Sequence, residues 1–357
     1  MCRHACPTFL ATKMDSHTPR GYALLMSRID ENITEWNDDI VEKLYQCSLC
    51  GLCAELCEFH WQEDEMVRAG REEVVKKSIE PVRAKELARN IKETGTIYRK
   101  EKNNSIPEKI AVEKQGADVL YFAGCSTRAE HPEILKAMTK ILDSADLDWG
   151  MLEKENCCSM SLYEMGYTED ARKLAEQLSN KIEEYNPEIL VTNCAHCYRS
   201  FAEKYKDLGV ELPDNLKIMH STEFIGKLIE EGKFSLNIKE TDASFCYHDP
   251  CQLGRKMGVF EMPRELIKKA TGKAPIELFH NKEEAECCGA GTVRFIIDPK
   301  VSIQVADERI KRVIEENADV VITACQNCKR NFTKSKIASQ NNIKIMDIVE
   351  LIADGLL

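Results

Sequence analysis

The chain has 357 residues, a formal net charge of -11, and 31% charged residues. That length fits two or three domains, each with its own core. The acidic balance argues against a nucleic-acid partner, which calls for a basic footprint. Seventeen cysteines far exceed ordinary usage. An odd count in a long, highly charged chain does not read as a secreted disulfide scaffold. Two cysteines and a histidine follow Met1 where the apolar core of a signal peptide would begin. No stretch approaches the ~18 apolar residues that cross a bilayer, so direct membrane insertion is not expected. These features together predict a reducing, cytoplasmic setting, with any membrane association made through a partner.

Residues 1–80 hold six cysteines and helical segments such as Asn37–Tyr45. Cys47-x-x-Cys50-x-x-Cys53-x-x-x-Cys57 has the bacterial 4Fe–4S spacing, in which three thiols take one cluster and the fourth serves its neighbour. Four thiols in eleven residues are too cramped for one tetrahedral zinc, whose motifs split into separated pairs. The start, Cys2-Arg-His-Ala-Cys6-Pro7, matches the back end of the same motif. By the crossed-ligand rule Cys6, Cys47, Cys50 and Cys53 form one complete cubane set. Cys2 and Cys57 are left as half of a second set. The expectation is that the native reading frame starts upstream of Met1 and supplies the missing thiols. Glu58 stands after Cys57 where a proline would complete the pattern.

Residues 81–116 are rich in Lys, Arg and Glu, with Gly95 and Pro107 as punctuation, and read as a solvated helix plus linker. The remainder is an internal duplication, with repeats at 117–232 and 243–357. Ile189–Cys194 matches Val320–Cys325. Tyr198-Arg199-Ser200-Phe201 matches Lys329-Arg330-Asn331-Phe332. The segment from Lys217 to Ile225 matches that from Lys344 to Ile352. Val119–Ala123 and Glu188–Asn193 read as buried strands, and His131–Ala145 and Thr168–Tyr185 as helices. Alternation of this kind predicts an α/β fold of βαβ units with a parallel sheet. Cys125, Cys157, Cys158 and Cys194 then follow strand-like runs. Ligand sites in open α/β sheets lie at the carboxyl ends of strands, so one edge of the fold can gather the thiols.

Each repeat carries five thiols in one order: Cys125, Cys157, Cys158, Cys194 and Cys197, then Cys251, Cys287, Cys288, Cys325 and Cys328. Ten soft ligands in two fives point to iron–sulfur chemistry ahead of zinc. A cubane needs only four thiolates, and an adjacent pair can serve two irons, so five with a doublet suit a cluster that is not a simple cube. Gly289 and Gly291 let backbone N–H groups approach sulfur, and His248-Asp249-Pro250 turns the chain off its strand before Cys251. Cys246 lies in the apolar run Ala243–Tyr247 and reads as core. His248, beside Cys251, and His196, inside the Cys194–Cys197 pair, are candidate proton donors. For His196 a solvent-facing or capping role is favoured. Arg255 and Arg294 are candidate forks for an anionic substrate, with surface roles as the default. No Gly-x-Gly-x-x-Gly occurs, so a flavin has to come from a partner.

These cysteines, with Thr18-Pro19-Arg20-Gly21, resemble the catalytic subunits of heterodisulfide reductases, whose cysteine-rich repeats are called CCG domains. The iron–sulfur subunits of glycolate oxidase, lactate-utilisation and anaerobic glycerol-3-phosphate dehydrogenase systems are related. Ser159 departs from the glycine common after the first doublet. The resemblance implies a helical ferredoxin-like domain followed by two CCG repeats. Each repeat would hold a non-cubane 4Fe–4S cluster on its five cysteines, which become the candidate catalytic residues. A disulfide would be reduced between the two clusters, with electrons fed from the N-terminal cubane. The expected partner is a flavoprotein or membrane cytochrome subunit. The alternative function is an iron–sulfur relay for a flavoprotein 2-hydroxy-acid or glycerol-3-phosphate dehydrogenase, and a zinc-loaded scaffold is the reading from a different class.

Overall fold

A computed structural model describes residues 2–98, 116–238 and 241–356. Residues 99–115, with Pro107, lie outside the described residues, as do Met1 and the Cys2 side chain. The first part is helical, and two parallel sheets follow.

The first sheet contains β1 (Val119–Tyr121), β2 (Trp149–Gly150), β3 (Ile189–Thr192) and β4 (Lys217–His220) in the order β2-β1-β3-β4. The second contains β5 (Phe245–His248), β6 (Ile276–Glu277), β7 (Val320–Thr323) and β8 (Lys344–Asp347) in the order β6-β5-β7-β8. Every pairing is parallel. Both faces of such sheets are covered, which is why the central strands are nearly continuous apolar runs. Leu120, Val191, Val321 and Ile322 are fully buried, each contributing about 1.5–3 kcal/mol by removal from water. The duplication extends to the caps: His220 and Asp347 start the helices Ser221–Glu230 and Ile348–Gly355, each with a glutamate, Glu223 or Glu350, closing a capping box.

Successive connections leave β1 for β2 on one side and β3 for β4 on the other. The switch point therefore falls between β1 and β3, and equivalently between β5 and β7, where open α/β sheets form their binding crevices. Cys125 and Cys194 follow the two strands that flank the first switch point, and Cys251 and Cys325 those that flank the second.

Several elements differ from the sequence expectation. β1 stops at Tyr121, and Gly124, with φ of 79°, opens a separate helix, Gly124–Glu130. The helix expected over His131–Ala145 is Pro132–Ser144, broken from its predecessor at His131. The segment expected to be a solvated helix is Val82–Thr94, and it buries Ala84, Leu87, Ala88 and Ile91 along one face. Its many charges sit on the opposite face and hid a helical apolar stripe.

The N-terminal helices pack against both repeats. Tyr45 Oη donates to Met165 O at 2.9 Å and Arg71 Nη1 to Glu164 O at 2.9 Å on the first repeat. Gln46 Nε2 reaches Asp298 Oδ2 at 2.9 Å and Lys256 Nζ reaches Asp64 Oδ2 at 2.5 Å on the second.

Candidate metal centres

Each thiol set is assembled by the same local devices. In the first repeat Ser200 Oγ donates to Cys158 O at 2.6 Å, and in the second Asn331 Nδ2 donates to Cys288 O at 2.7 Å. The residue after each doublet is left-handed, with φ of 73° at Ser159 and 90° at Gly289. Glycine reaches that conformation without strain. Serine adopts it at a cost of about 1–2 kcal/mol that glycine does not bear. Gly289 has a further reason to be glycine, because a Cβ would lie 2.4 Å from Ser302 O.

The sulfurs within each set lie close enough to share protons. Hydrogen bonds from Cys125 and Cys158 hold the Cys157 thiol well below its usual range, against the opposing effect of burial. Cys251, Cys288 and Cys50 do the same for Cys287. Cys194 is lowered by Cys197, and Cys325 by Cys328, which outweighs burial, and by His196. Hydrogen bonding to their neighbours raises Cys125, Cys158, Cys197, Cys251, Cys288 and Cys328, and burial raises them further. No cysteine among the described residues is in a disulfide. Two nests of five free thiols, nine of the ten buried, have the donor chemistry of iron–sulfur ligation.

In the N-terminal region Cys6, Cys47, Cys50 and Cys53 line one pocket with Pro19, Tyr22 and Val67, and Cys57 is not among its lining residues. Burial pushes the Cys6 thiol up to about 11 and raises Cys53 as well. Cys50 also meets Cys287 sulfur to sulfur. Around that contact Arg255 Nη1 donates to Cys50 O at 2.7 Å and Thr292 Oγ1 to Cys47 O at 3.2 Å. The N-terminal set thus abuts the second repeat's set directly. The first repeat's doublet is held differently, by Cys157 N donating to Gly95 O at 2.6 Å.

The two repeats also meet at their thiols. His196 Nε2 lies 3.8 Å from Glu164 Oε2, and Cys325 of the other repeat is near enough to favour a charge on the ring. Burial opposes a charge on this ring, but Cys325 and Glu164 prevail and raise it to about 9. The favoured solvent-facing or capping role for His196 is therefore corrected: the ring spans the repeat junction. Its counterpart Asn327 accepts from Ser126 Oγ at 2.8 Å, so the crossing is reciprocal. Gln252 adds a further bridge, with Arg199 Nη1 at 2.7 Å and Glu164 Oε1 at 3.2 Å. None of these polar bridges was visible in the sequence, because they depend on how the repeats dock.

Of the remaining sequence candidates, Cys246 is fully buried in β5, where burial pushes its thiol up to about 12, as a core residue requires. His248 is buried, and burial lowers it to about 3. Both arginines proposed as substrate forks are corrected. Arg255 also donates to Glu283 O at 2.6 Å and to Ala285 O. Arg294 is fully buried and donates to Gly289 O, Thr8 Oγ1 and Gln46 O at 3.0, 2.7 and 2.6 Å. Arg294 is buried and Arg255 half-buried, and both are committed to holding the N-terminal helices and the second doublet in place.

Comparison with known proteins agrees with this chemistry. A family model described as a cysteine-rich domain, CCG, matches residues 119–202 and 245–333. A 4Fe-4S dicluster domain model matches residues 1–61. These define an iron–sulfur protein with a ferredoxin-type N-terminal domain and two cysteine-rich α/β repeats. The D subunit of the dihydromethanophenazine:CoB–CoM heterodisulfide reductase of Methanosarcina barkeri is 31% identical over 91% of this chain and 80% of that protein. The chain belongs to the family of that heterodisulfide reductase component, and it is an iron–sulfur oxidoreductase subunit. The B subunit of a fumarate reductase (CoM/CoB) of Methanothermobacter marburgensis is 25% identical over 88% of this chain and 62% of its own length. A probable iron-sulfur-binding oxidoreductase, FadF, of Bacillus subtilis is 25% identical over 93% of this chain and 48% of its own length. No helix among the described residues is long and apolar enough to cross a membrane.

Proposed function

We propose that this protein passes electrons from an N-terminal cubane cluster to a disulfide, or a similar two-electron acceptor, at the junction of its two repeats. Cys6, Cys47, Cys50 and Cys53 would hold the cubane, with Cys2 and Cys57 belonging to a second set. Cys125, Cys157, Cys158, Cys194 and Cys197 would hold one non-cubane 4Fe–4S cluster, and Cys251, Cys287, Cys288, Cys325 and Cys328 the other. When bound, such clusters exchange single electrons and offer iron to the sulfurs of an acceptor. The domain division that goes with this reading is 1–80, 81–116, 117–232 and 243–357.

One observation carries the reading: the three thiol-bearing regions pack against one another. Cys50 lies against Cys287, and beside Cys125 and Cys325 the repeats are joined by Ser126 donating to Asn327 and Gln326 to Thr127. Around them the protein's own groups fix geometry and exclude water. Arg294 and Arg255 clamp the Gln46–Cys50 segment beside the second doublet. Ser200 and Asn331 fix the doublet carbonyls, and Gln252 with Arg199 closes the repeat junction. The reaction adds two electrons and two protons to a disulfide, giving two thiols, so the reductant has to come from a partner. A flavoprotein or a membrane cytochrome subunit meets that need, and the heterodisulfide and fumarate reductase relatives are themselves named as single components of larger enzymes.

The test is to purify the chain anaerobically with its native partners, determine iron and acid-labile sulfide, and assay disulfide reduction with reduced viologen as donor. Clusters, with disulfide reduction lost in Cys287→Ser, are expected. Zinc without iron overturns the cluster reading. A flavoprotein dehydrogenase as the co-purifying partner, with no disulfide reduction, replaces the acceptor reading by the relay alternative.

A further inference from the structure

His248 ends β5 inside the second repeat, 1% exposed, and neither ring nitrogen has a hydrogen-bond partner among the described residues. A ring nitrogen and the sulfurs of Cys288 and Cys328 all lie within 4.8 Å of one another. The ring packs edge-on against Phe332, with centroids 4.8 Å apart and planes at 87°. The matching residue of the first repeat is Phe122, which packs against Phe201 at 5.0 Å and 87°. The two rings fill the same steric slot, but one is hydrocarbon and the other carries an unsatisfied donor. A buried polar group without a partner costs about 1–3 kcal/mol, which phenylalanine would avoid. An imidazole there needs an acceptor, and the sulfurs of Cys288 and Cys328 lie within 4.8 Å.

Building on the cluster reading above, we infer that His248 donates its N–H to sulfur of the cluster held by the second set and makes that cluster the higher-potential one of the pair. Hydrogen bonds to cluster sulfurs stabilise the reduced, more negative state and so raise the potential. The second set is also the one that Cys50 touches, so electrons arriving from the N-terminal set meet the more oxidising site first. His248 acts here as a positioning and tuning residue, and the two repeats are inequivalent despite their common topology.

A redox titration of the anaerobically purified full chain, followed by electron paramagnetic resonance, tests this with two exchanged variants. His248→Phe installs the residue that the first repeat already accommodates, and should lower one cluster's potential while leaving the other in place. Phe122→His should raise the potential of the other cluster. Iron and sulfide are measured first. Their absence from the wild type defeats the cluster reading itself. With clusters present, unmoved potentials in both variants overturn the role of His248 alone. If His248→Phe loses iron, Phe122→His still decides, and an unshifted potential there overturns the inference.

Discussion

The two repeats share strand order, register, capping boxes and the position of all five thiols, yet they present those thiols to different surroundings. The first doublet is tied by a backbone hydrogen bond to Gly95, and the second meets Cys50 sulfur to sulfur. Six residues past each doublet the side chains diverge. Glu164 turns toward His196 and Gln252, while Arg294 reaches into the N-terminal helices. Duplication of the topology therefore sets where sulfur can gather, and a few replaced side chains decide how each copy meets the N-terminal helices and the other repeat.

The comparison is broken most severely at Arg294. Arg294→Ala removes the donor to Gly289 O, Thr8 Oγ1 and Gln46 O. With about 1–3 kcal/mol for each buried group left unpaired, a loss of about 3 kcal/mol or more is expected in chemical denaturation. The same substitution at the exposed Arg28 should change stability little. A smaller and unequal pair of effects is expected after the doublets. Gly289→Ala places a Cβ against Ser302 O at a φ of 90° and should cost about 2 kcal/mol or more. Ser159→Gly relieves a left-handed serine and should change stability by no more than about 1 kcal/mol in either direction, because the gain is offset by unfolded-chain entropy. Thermal melts of the two variants compare them directly.

The smallest effect concerns the strut between repeats. Lys329 Nζ reaches Glu133 Oε1 at 2.7 Å and Glu350 Oε2 at 2.6 Å. Burial works against the Glu133 carboxylate, but His131 and Lys329 hold it down at about 2. Because the folded value lies below the unfolded one, its stabilisation is present above the ordinary carboxylate range and is lost as pH falls toward 2. Solvent exposure discounts the effect, so Glu133→Gln should cost about 0.5 kcal/mol near neutrality. The difference from the wild type should shrink in acid melts. A difference that grows on acidification would reverse the sign of this account.

Much of the fold was legible because the strands that flank the switch points are apolar runs, and the helix Thr168–Tyr185 shows plain amphipathic spacing. β2 and β6, two residues each, are too short to leave a periodic signal. The helix Val82–Thr94 was misread because its charges outnumber the spaced Ala84, Leu87, Ala88 and Ile91 that it buries. At the candidate site the spacing of the cysteines was visible, but the company they keep was not. A buried arginine such as Arg294 looks like a surface one in sequence. The partners of His196 lie in the other repeat or far along the chain, so only docking reveals them.

The central claim is that two separate five-thiol clusters stand beside an N-terminal cubane, and iron Mössbauer spectroscopy of the anaerobic protein tests it most directly. Spectra of the wild type are compared with those of Cys157→Ser and Cys287→Ser. The account predicts that each variant removes or alters a different iron component and leaves a cubane component common to all three. A single component affected identically by both substitutions, or zinc in place of iron, would contradict it.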